Sequence, residues 1–193
     1  MPYLLKSLRN NFLIHDFQYL DKIARFDDIQ KTYDIDVKND SAQALRRITK
    51  AHLEPDNFAK MSVKLAAQLF SPSVSLTIRT VLQTGESISP PAKHTASFVE
   101  LVNDVFDILN SRQLFHNNPL KTALTKSASN KSFDIFKKTS QCFINLKQLV
   151  NKNHKGCMVR PYCFNGLVQT INGVLELFEN EKDEADFSHF LTN

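Results

Sequence analysis

Apolar residues recur at helical spacing along most of the chain. The i, i+3, i+4 and i+7 positions of an amphipathic helix are apolar in segment after segment. Within 60–71, KMSVKLAAQLFS, this spacing joins Val63, Ala66, Ala67 and Phe70. No segment alternates convincingly with the period of two that a strand requires, and no internal repeat is found. The pattern predicts an all-α fold of about seven to nine helices in a single domain.

Capping and helix-breaking residues divide this pattern into elements. Asp40 or Ser41 can cap a helix that runs to about residue 50. Pro72 cannot continue the hydrogen bonding of the helix before it, and Gly85 ends the helix after it. The predicted helices cover about 2–13, 26–33, 41–50, 55–70, 74–82, 95–111, 132–150, 164–178 and 187–191. Loops are predicted at 84–94, 112–130 and 151–163, with a helical turn after Pro119.

Composition narrows the class of protein. The chain has 193 residues, is 42% hydrophobic, and contains 15 phenylalanines but only four glycines, which favours helices joined by short loops. Neither GxxxxGK[ST] nor GxGxxG is present, so both common phosphate-binding loops are excluded. The sequence shows no signal peptide and no apolar run of 18 residues that would suggest a membrane span. Its three cysteines are an odd number and do not form a disulfide framework. These features favour a reducing intracellular compartment.

Charge is unevenly distributed along the chain. Residues 176–186 hold six acidic residues and one lysine, a net charge of −5, which leaves +9 on the remainder of a chain whose formal charge is +4. A mildly basic body suits nucleic acid or phosphate ligands. Ordinary surface lysines on a globular domain explain the same charge equally well.

Few residues suggest metal or catalytic chemistry. His154, Cys157 and Cys163 lack a fourth ligand and a CxxC pair, so ordinary loop residues are the favoured interpretation over a zinc site. No local motif indicates a nucleophile with its base. The residues alone therefore predict no metal site and no catalytic residue.

An acidic stripe runs along the predicted helix at 95–111. Glu100, Asp104 and Asp107 lie at i, i+4 and i+7, which is typical of the solvated face of a helix but also of a divalent-ion site. A carboxylate can accept two hydrogen bonds side by side, and guanine offers two such donors at N1–H and N2–H₂. Phe106 could stack on a base, although core packing is the simpler interpretation.

Basic residues form a second set, on two neighbouring predicted helices. They are Arg46, Arg47, Lys50, Lys60 and Lys64. Phosphates require such donors, because arginine supplies a planar fork and lysine a point charge. A solvated surface remains the more favoured interpretation from the sequence alone.

Four segments resemble the P-element-type transposases, including their THAP-domain vertebrate relatives. They are LLKSLRNNFL, ALRRITKAHLEPDNFAKMSVKLAAQLFSPSV, FVELVNDVFDILNSR and GLVQTINGVLELF, and their order and spacing match from Leu4 to about Asn193. The most specific is the run at 52–71, H-L-x-P-x-x-F-x-K-M-x-V-K-L-A-A-Q-x-F-S. The resemblance implies that 1–193 is the all-α GTP-binding insertion domain that interrupts an RNase H-like catalytic domain, with 1–13 and 187–193 bordering that missing domain.

The resemblance also assigns candidate ligand-binding residues. The family's guanine-reading acid, in F-D-x-L-N-S, falls on Asp107, with Phe106 as its aromatic neighbour. A family lysine falls on Arg47. Of the family's K-V-K, Val63 and Lys64 are kept, whereas Ser62 stands where the family has its first lysine.

The implied function is binding of GTP with Mg²⁺ as a cofactor that is not hydrolysed and that helps to organise transposon DNA in the nucleus. The catalytic carboxylates of the family fall outside this chain, so no enzyme activity is expected of it. An alternative is a DNA-contacting or protein-interaction module that has lost nucleotide binding. A third is a non-functional remnant that folds only marginally.

Overall fold

The computed structural model describes residues 2–39, 43–85, 88–111, 113–114, 116–123, 129–149 and 161–181. Its helices are α1 Pro2–Phe12, α2 Phe26–Lys38, α3 Lys50–Leu53, α4 Asn57–Met61, α5 Val63–Leu69, α6 Pro72–Gln83, α7 Ala92–Ile108, α8 Ser129–Ile144 and α9 Tyr162–Glu181. The strands are β1 Asp16–Tyr19, β2 Lys22–Ala24 and β3 Lys147–Leu149, and a 3₁₀ helix spans Pro119–Lys121. The all-α class is confirmed, with a small sheet in addition.

Aromatic side chains join the helices at the centre of the core. The ring of Phe12 in α1 lies 5.0 Å from that of Phe17 in β1 and 5.5 Å from that of Phe98 in α7. Phe98 also contacts Phe70, which follows α5, and Phe143 in α8. Ring pairs at these distances add to the free energy gained by burying their area. The amphipathic helices therefore pack around one cluster to which both halves of the chain contribute.

The sheet has three short antiparallel strands in the order β2-β1-β3. Phe17 pairs with Ala24 on one side and with Gln148 on the other. The sequence pattern did not predict these strands, because each has only three or four residues and gives little room for alternation. β3 also corrects the predicted helix at 132–150, which ends at Ile144.

Several predicted boundaries are confirmed. α6 begins at Pro72 in its first turn, where a missing N–H costs nothing, and Gly85 follows the helix with a φ of +74°. α7 and α9 lie where apolar periodicity placed them, and the turn after Pro119 is the 3₁₀ helix. The predicted helix at 187–191 lies outside the described residues.

The helix predicted at 41–50 is wrong for the residues that the structure describes. Residues 43–49 form an irregular segment, and only the short α3 begins at Lys50. The carboxylate of Asp36 accepts hydrogen bonds from the backbone N–H groups of Ala44 and Leu45, each at 2.9 Å. These tertiary bonds hold the segment in a loop and override its local helix propensity.

The helix predicted at 55–70 is broken at Ser62. Asp56 caps α4 by accepting from the Ala59 N–H, and Ser62 is at once the C-terminal cap of α4 and the N-terminal cap of α5. Its backbone is extended, with φ −78° and ψ 116°, and its hydroxyl accepts from the Leu65 N–H at 3.3 Å. The basic residues of this stretch therefore lie on two short helices rather than on one long one.

Candidate functional site

Asp107 lies near the C-terminal end of α7, with its side chain only 10% exposed. Its Oδ2 accepts from the amides of Asn103 and Asn118 at 3.4 and 3.3 Å. Lys121 Nζ lies 3.5 Å from the other carboxylate oxygen, Oδ1. Burial raises the pKa of Asp107, and the charge of Lys121 opposes that rise. The carboxylate is thus a desolvated acceptor that is stabilised by one cation and two amides.

A cavity of about 300 Å³ opens beside this carboxylate. Its described lining residues are Phe106, Asp107, Asn110, Gln113, His116 and Lys121. Phe106 is partly buried and packs against the core, and it also lines this cavity. An aromatic ring, a buried carboxylate and several amide and basic groups are suited to a flat polar heterocycle such as a nucleobase.

Arg47 lies elsewhere, in the irregular segment before α3. It lines a second cavity of about 290 Å³, together with Arg46, Gln68 of α5 and Ser71 of the α5–α6 connection. The described linings of this cavity and of the Asp107 cavity share no residue. The structure therefore brings Phe106 and Asp107 together but places Arg47 at a separate concavity.

Val63 and Lys64 form the first turn of α5, directly after the Ser62 cap. Val63 is partly buried and Lys64 is exposed, and neither lines either cavity. α1 contacts the junction between α4 and α5, because Arg9 Nη2 donates to the carbonyls of Ala59 and Lys60 at 2.9 and 3.1 Å. Arg9 is fully buried, so the junction has a fixed position relative to the core.

The diagnostic run at 52–71 has a structural role as well. His52 is 2% exposed, and its Nε2 lies 3.0 Å from Oε1 of Gln68, which joins α3 to α5. Its Nδ1 accepts the Thr49 N–H in a capping box at the start of α3. These two motif residues are accounted for by helix packing without a ligand.

The acidic stripe on α7 does not act as one cluster. Glu100 forms an ion pair with Arg79 at 2.8 Å, whereas Asp107 faces Lys121. Among the described residues, no group of three or more His, Cys, Asp or Glu side chains could hold a metal ion. Cys163 is buried and accepts a hydrogen bond from Asn11, while His154 and Cys157 lie outside the described residues.

Three partners of Asp107 were missed in the sequence. Asn103 stands four residues before it, a helical spacing that could have been noticed. Asn118 and Lys121 come from the polar connection after α7, where Asn118 also caps the 3₁₀ helix. Asn118 before a proline was a usable turn signal, but its approach to Asp107 depends on tertiary structure.

None of the helices in the described part of the chain is long and apolar enough to cross a bilayer.

Comparisons with known proteins agree with each other. Residues 2–123 match the family model described as "TNP-like, GTP-binding insertion domain". The transposable element P transposase of Drosophila melanogaster is 35% identical over 111 residues, which are 58% of this chain and 14% of that protein. A solved structure, the Drosophila P element transposase strand transfer complex, superposes with a TM-score of 0.83 at 26% identity and covers 99% of this chain and 41% of that one. The chain thus spans less than half of the length of either relative.

Proposed function

Because this chain belongs to the family of TNP-like GTP-binding insertion domains, we propose that it binds GTP in the cavity beside Asp107. The observation that carries the proposal is the position of that carboxylate. It is buried at the wall of a cavity, next to an aromatic ring, and it can accept the N1–H and N2–H₂ of guanine. The F-D-x-L-N-S resemblance points to the same residue.

The residues beside Asp107 suit a guanine base, because Phe106 offers a ring and Asp107 a pair of acceptors. We propose that Val63 contributes backbone contacts and that Arg47 and Lys64 face the phosphates. Arg47 lines the second cavity, and Val63 and Lys64 line neither. Mg²⁺ would arrive with the phosphates, which are its usual ligands. GTP would serve as a bound cofactor rather than as a substrate, and we propose that the domain itself is not catalytic.

Titration calorimetry with GTP, ATP and xanthosine triphosphate tests this function. We expect the chain to prefer GTP, and Asp107→Asn to shift the preference towards xanthosine triphosphate, because an amide offers one acceptor and one donor. The loss for GTP should be about tenfold or more. Glu100→Gln, on the same helix but paired with Arg79, is the matched control and should retain the wild-type order.

Two outcomes would contradict the proposal. Absence of GTP binding at millimolar concentration would reject nucleotide binding by this chain. Unchanged base preference in Asp107→Asn would remove Asp107 from base recognition.

Within a complete P-element-type transposase, we propose that the domain helps to organise transposon DNA in the nucleus. The P transposase relative and the strand transfer complex support this context.

The second candidate is a DNA-contacting or protein-interaction module that has lost nucleotide binding. It is favoured by Ser62, whose hydroxyl caps α5 where the family resemblance expects a lysine. A salt-dependent mobility shift with DNA that GTP leaves unchanged would support it. No shift at any ionic strength would count against DNA contact.

A further inference from the structure

Lys121 lies on the wall of the cavity directly beside Asp107. Its backbone is anchored to the segment that follows α7, because Ser111 Oγ donates to the Lys121 carbonyl at 3.3 Å and the nearby Ala123 N donates to Gln113 O at 2.9 Å. Its side chain is 44% exposed, so the ammonium can move within the cavity. The resemblance assigned no role to this lysine.

The chemistry of guanine requires one group more than Asp107 supplies. Along one edge the base presents the N2 amino donor, the N1–H donor and then the O6 acceptor. A carboxylate satisfies the two donors but repels O6. A hydrogen-bond donor adjacent to the carboxylate would pair with O6. Lys121 Nζ lies 3.5 Å from Asp107 Oδ1.

We propose that Lys121 donates to O6 of the bound guanine and is a specificity-determining residue, an inference that rests on the proposed GTP binding. Asn110, Gln113 and His116 also line the cavity. Among the described lining residues, however, Lys121 alone is within ion-pair distance of Asp107, and O6 adjoins N1 on the base.

The same pair of side chains selects against adenine. The adenine amino group would face the ammonium, donor against donor, and its unprotonated N1 would face the carboxylate, acceptor against acceptor. Recognition of this kind discriminates strongly, because the wrong base leaves buried polar groups unpaired.

Base analogues combined with point variants test the assignment. The probes are GTP, 6-thio-GTP, whose sulfur is a weaker acceptor at position 6, and inosine triphosphate, which lacks the N2 amino group. Titrations at about pH 8 keep the lysine protonated and favour the ionised carboxylate. Lys121→Met removes the donor, Lys121→Arg retains one, and Lys93→Met, at the opposite end of α7, is the control.

The wild-type chain should bind 6-thio-GTP about tenfold more weakly than GTP, and Lys121→Met should bind the two equally. Lys121→Met should still prefer GTP over inosine triphosphate, because that preference depends on Asp107. Lys121→Arg and Lys93→Met should keep both preferences.

Equal binding of GTP and 6-thio-GTP by the wild-type chain would overturn the role of Lys121 whether or not the variants fold. If Lys121→Met binds GTP and still prefers it over 6-thio-GTP, the role of Lys121 would also be overturned, while the proposed function would remain in place. Absence of any GTP binding would reject both.

Discussion

Asp28 is a buried carboxylate that is hydrogen-bonded to a neutral hydroxyl. It is 3% exposed, and its Oδ2 accepts the Thr95 hydroxyl at 2.5 Å. Thr95 Oγ1 in turn accepts the Arg25 N–H, so these residues join the start of α2 to the start of α7. Burial raises the pKa of Asp28 more than the Thr95 hydrogen bond lowers it.

This pKa shift predicts a pH-dependent difference between the wild-type chain and Asp28→Asn. A carboxyl whose pKa is raised on folding contributes stability below its unfolded pKa, and this contribution is lost as pH rises through the folded value. The free energy of unfolding of Asp28→Asn, relative to that of the wild type, should therefore increase as pH rises from acid to neutral. Urea unfolding across this range measures the difference.

The control is Asp27→Asn, which removes an exposed carboxylate paired with Lys31. Surface pairs of this kind contribute little, so its difference from the wild type should be small throughout. A pH-independent difference for Asp28→Asn would show that Asp28 titrates alike in the folded and unfolded chain.

At the residue scale, the sequence predicts where a side chain lies in an element better than it predicts which distant residues that side chain contacts. Phe106 and Asp107 are consecutive in the sequence, and the structure places both at one cavity. Lys121 lies fourteen positions further along, across a polar connection, so no periodic pattern links it to Asp107. Such contacts depend on where a turn folds back, which a single sequence does not encode locally.

At the scale of elements, the main departure from the family pattern lies at the α4–α5 junction, where Ser62 replaces the first lysine of K-V-K. A lysine there would restore the charge of the K-V-K motif but would remove the hydroxyl that accepts from Leu65 N. We expect Ser62→Lys to lose about 1 kcal/mol of unfolding free energy, as for other lost caps. It should also bind GTP roughly fivefold more tightly at low salt, because a further cation would stand near the proposed phosphate side.

Urea unfolding and GTP titration of the same sample separate the two effects. Ser62→Thr keeps a capping hydroxyl without adding charge, so it should retain wild-type values in both measurements. Undiminished stability of Ser62→Lys would mean that the cap contributes nothing. Unchanged GTP affinity would remove position 62 from the phosphate side.

Element boundaries were predictable where the chain itself marks them. Pro72 and Gly85 bound α6 through local backbone preferences, which operate in any context. The segment 43–49 was mispredicted because its N–H groups bond to Asp36 in α2, a partner outside the segment. β1 and β2 were missed because each has only three or four residues, and β3 was missed because it pairs with β1 across more than a hundred residues.

In the whole molecule, the folding unit is larger than the part that matches the family model. The match ends at residue 123, yet Phe17 contacts Phe164 in α9 at 5.2 Å and Phe98 contacts Phe143 in α8 at 6.4 Å. α1 packs so closely on α9 that a Cβ at Gly166 would approach Leu4 Cδ2 to 2.9 Å. β1 also takes its second partner strand from 147–149.

A chain ending at residue 123 is therefore expected to lose cooperative folding. It would expose one edge of β1, the α9-facing side of α1, and the part of the aromatic cluster that α8 and α9 cover. Thermal melting by circular dichroism should show a broad transition, with dye binding to exposed apolar surface, whereas the full chain should melt sharply. A sharp melt of the shorter chain would show that residues 2–123 fold independently.

The cap that α4 and α5 share at Ser62 also determines how a length change in α4 would affect α5. In a continuous helix, one inserted residue rotates everything after it by about 100°. Here α4 ends before α5 begins, and none of its residues is buried, whereas α5 buries Ala66 and Leu69. A change in the length of α4 would displace the Ala59 and Lys60 carbonyls that Arg9 contacts, but it would not rotate α5, which would keep its register against the core.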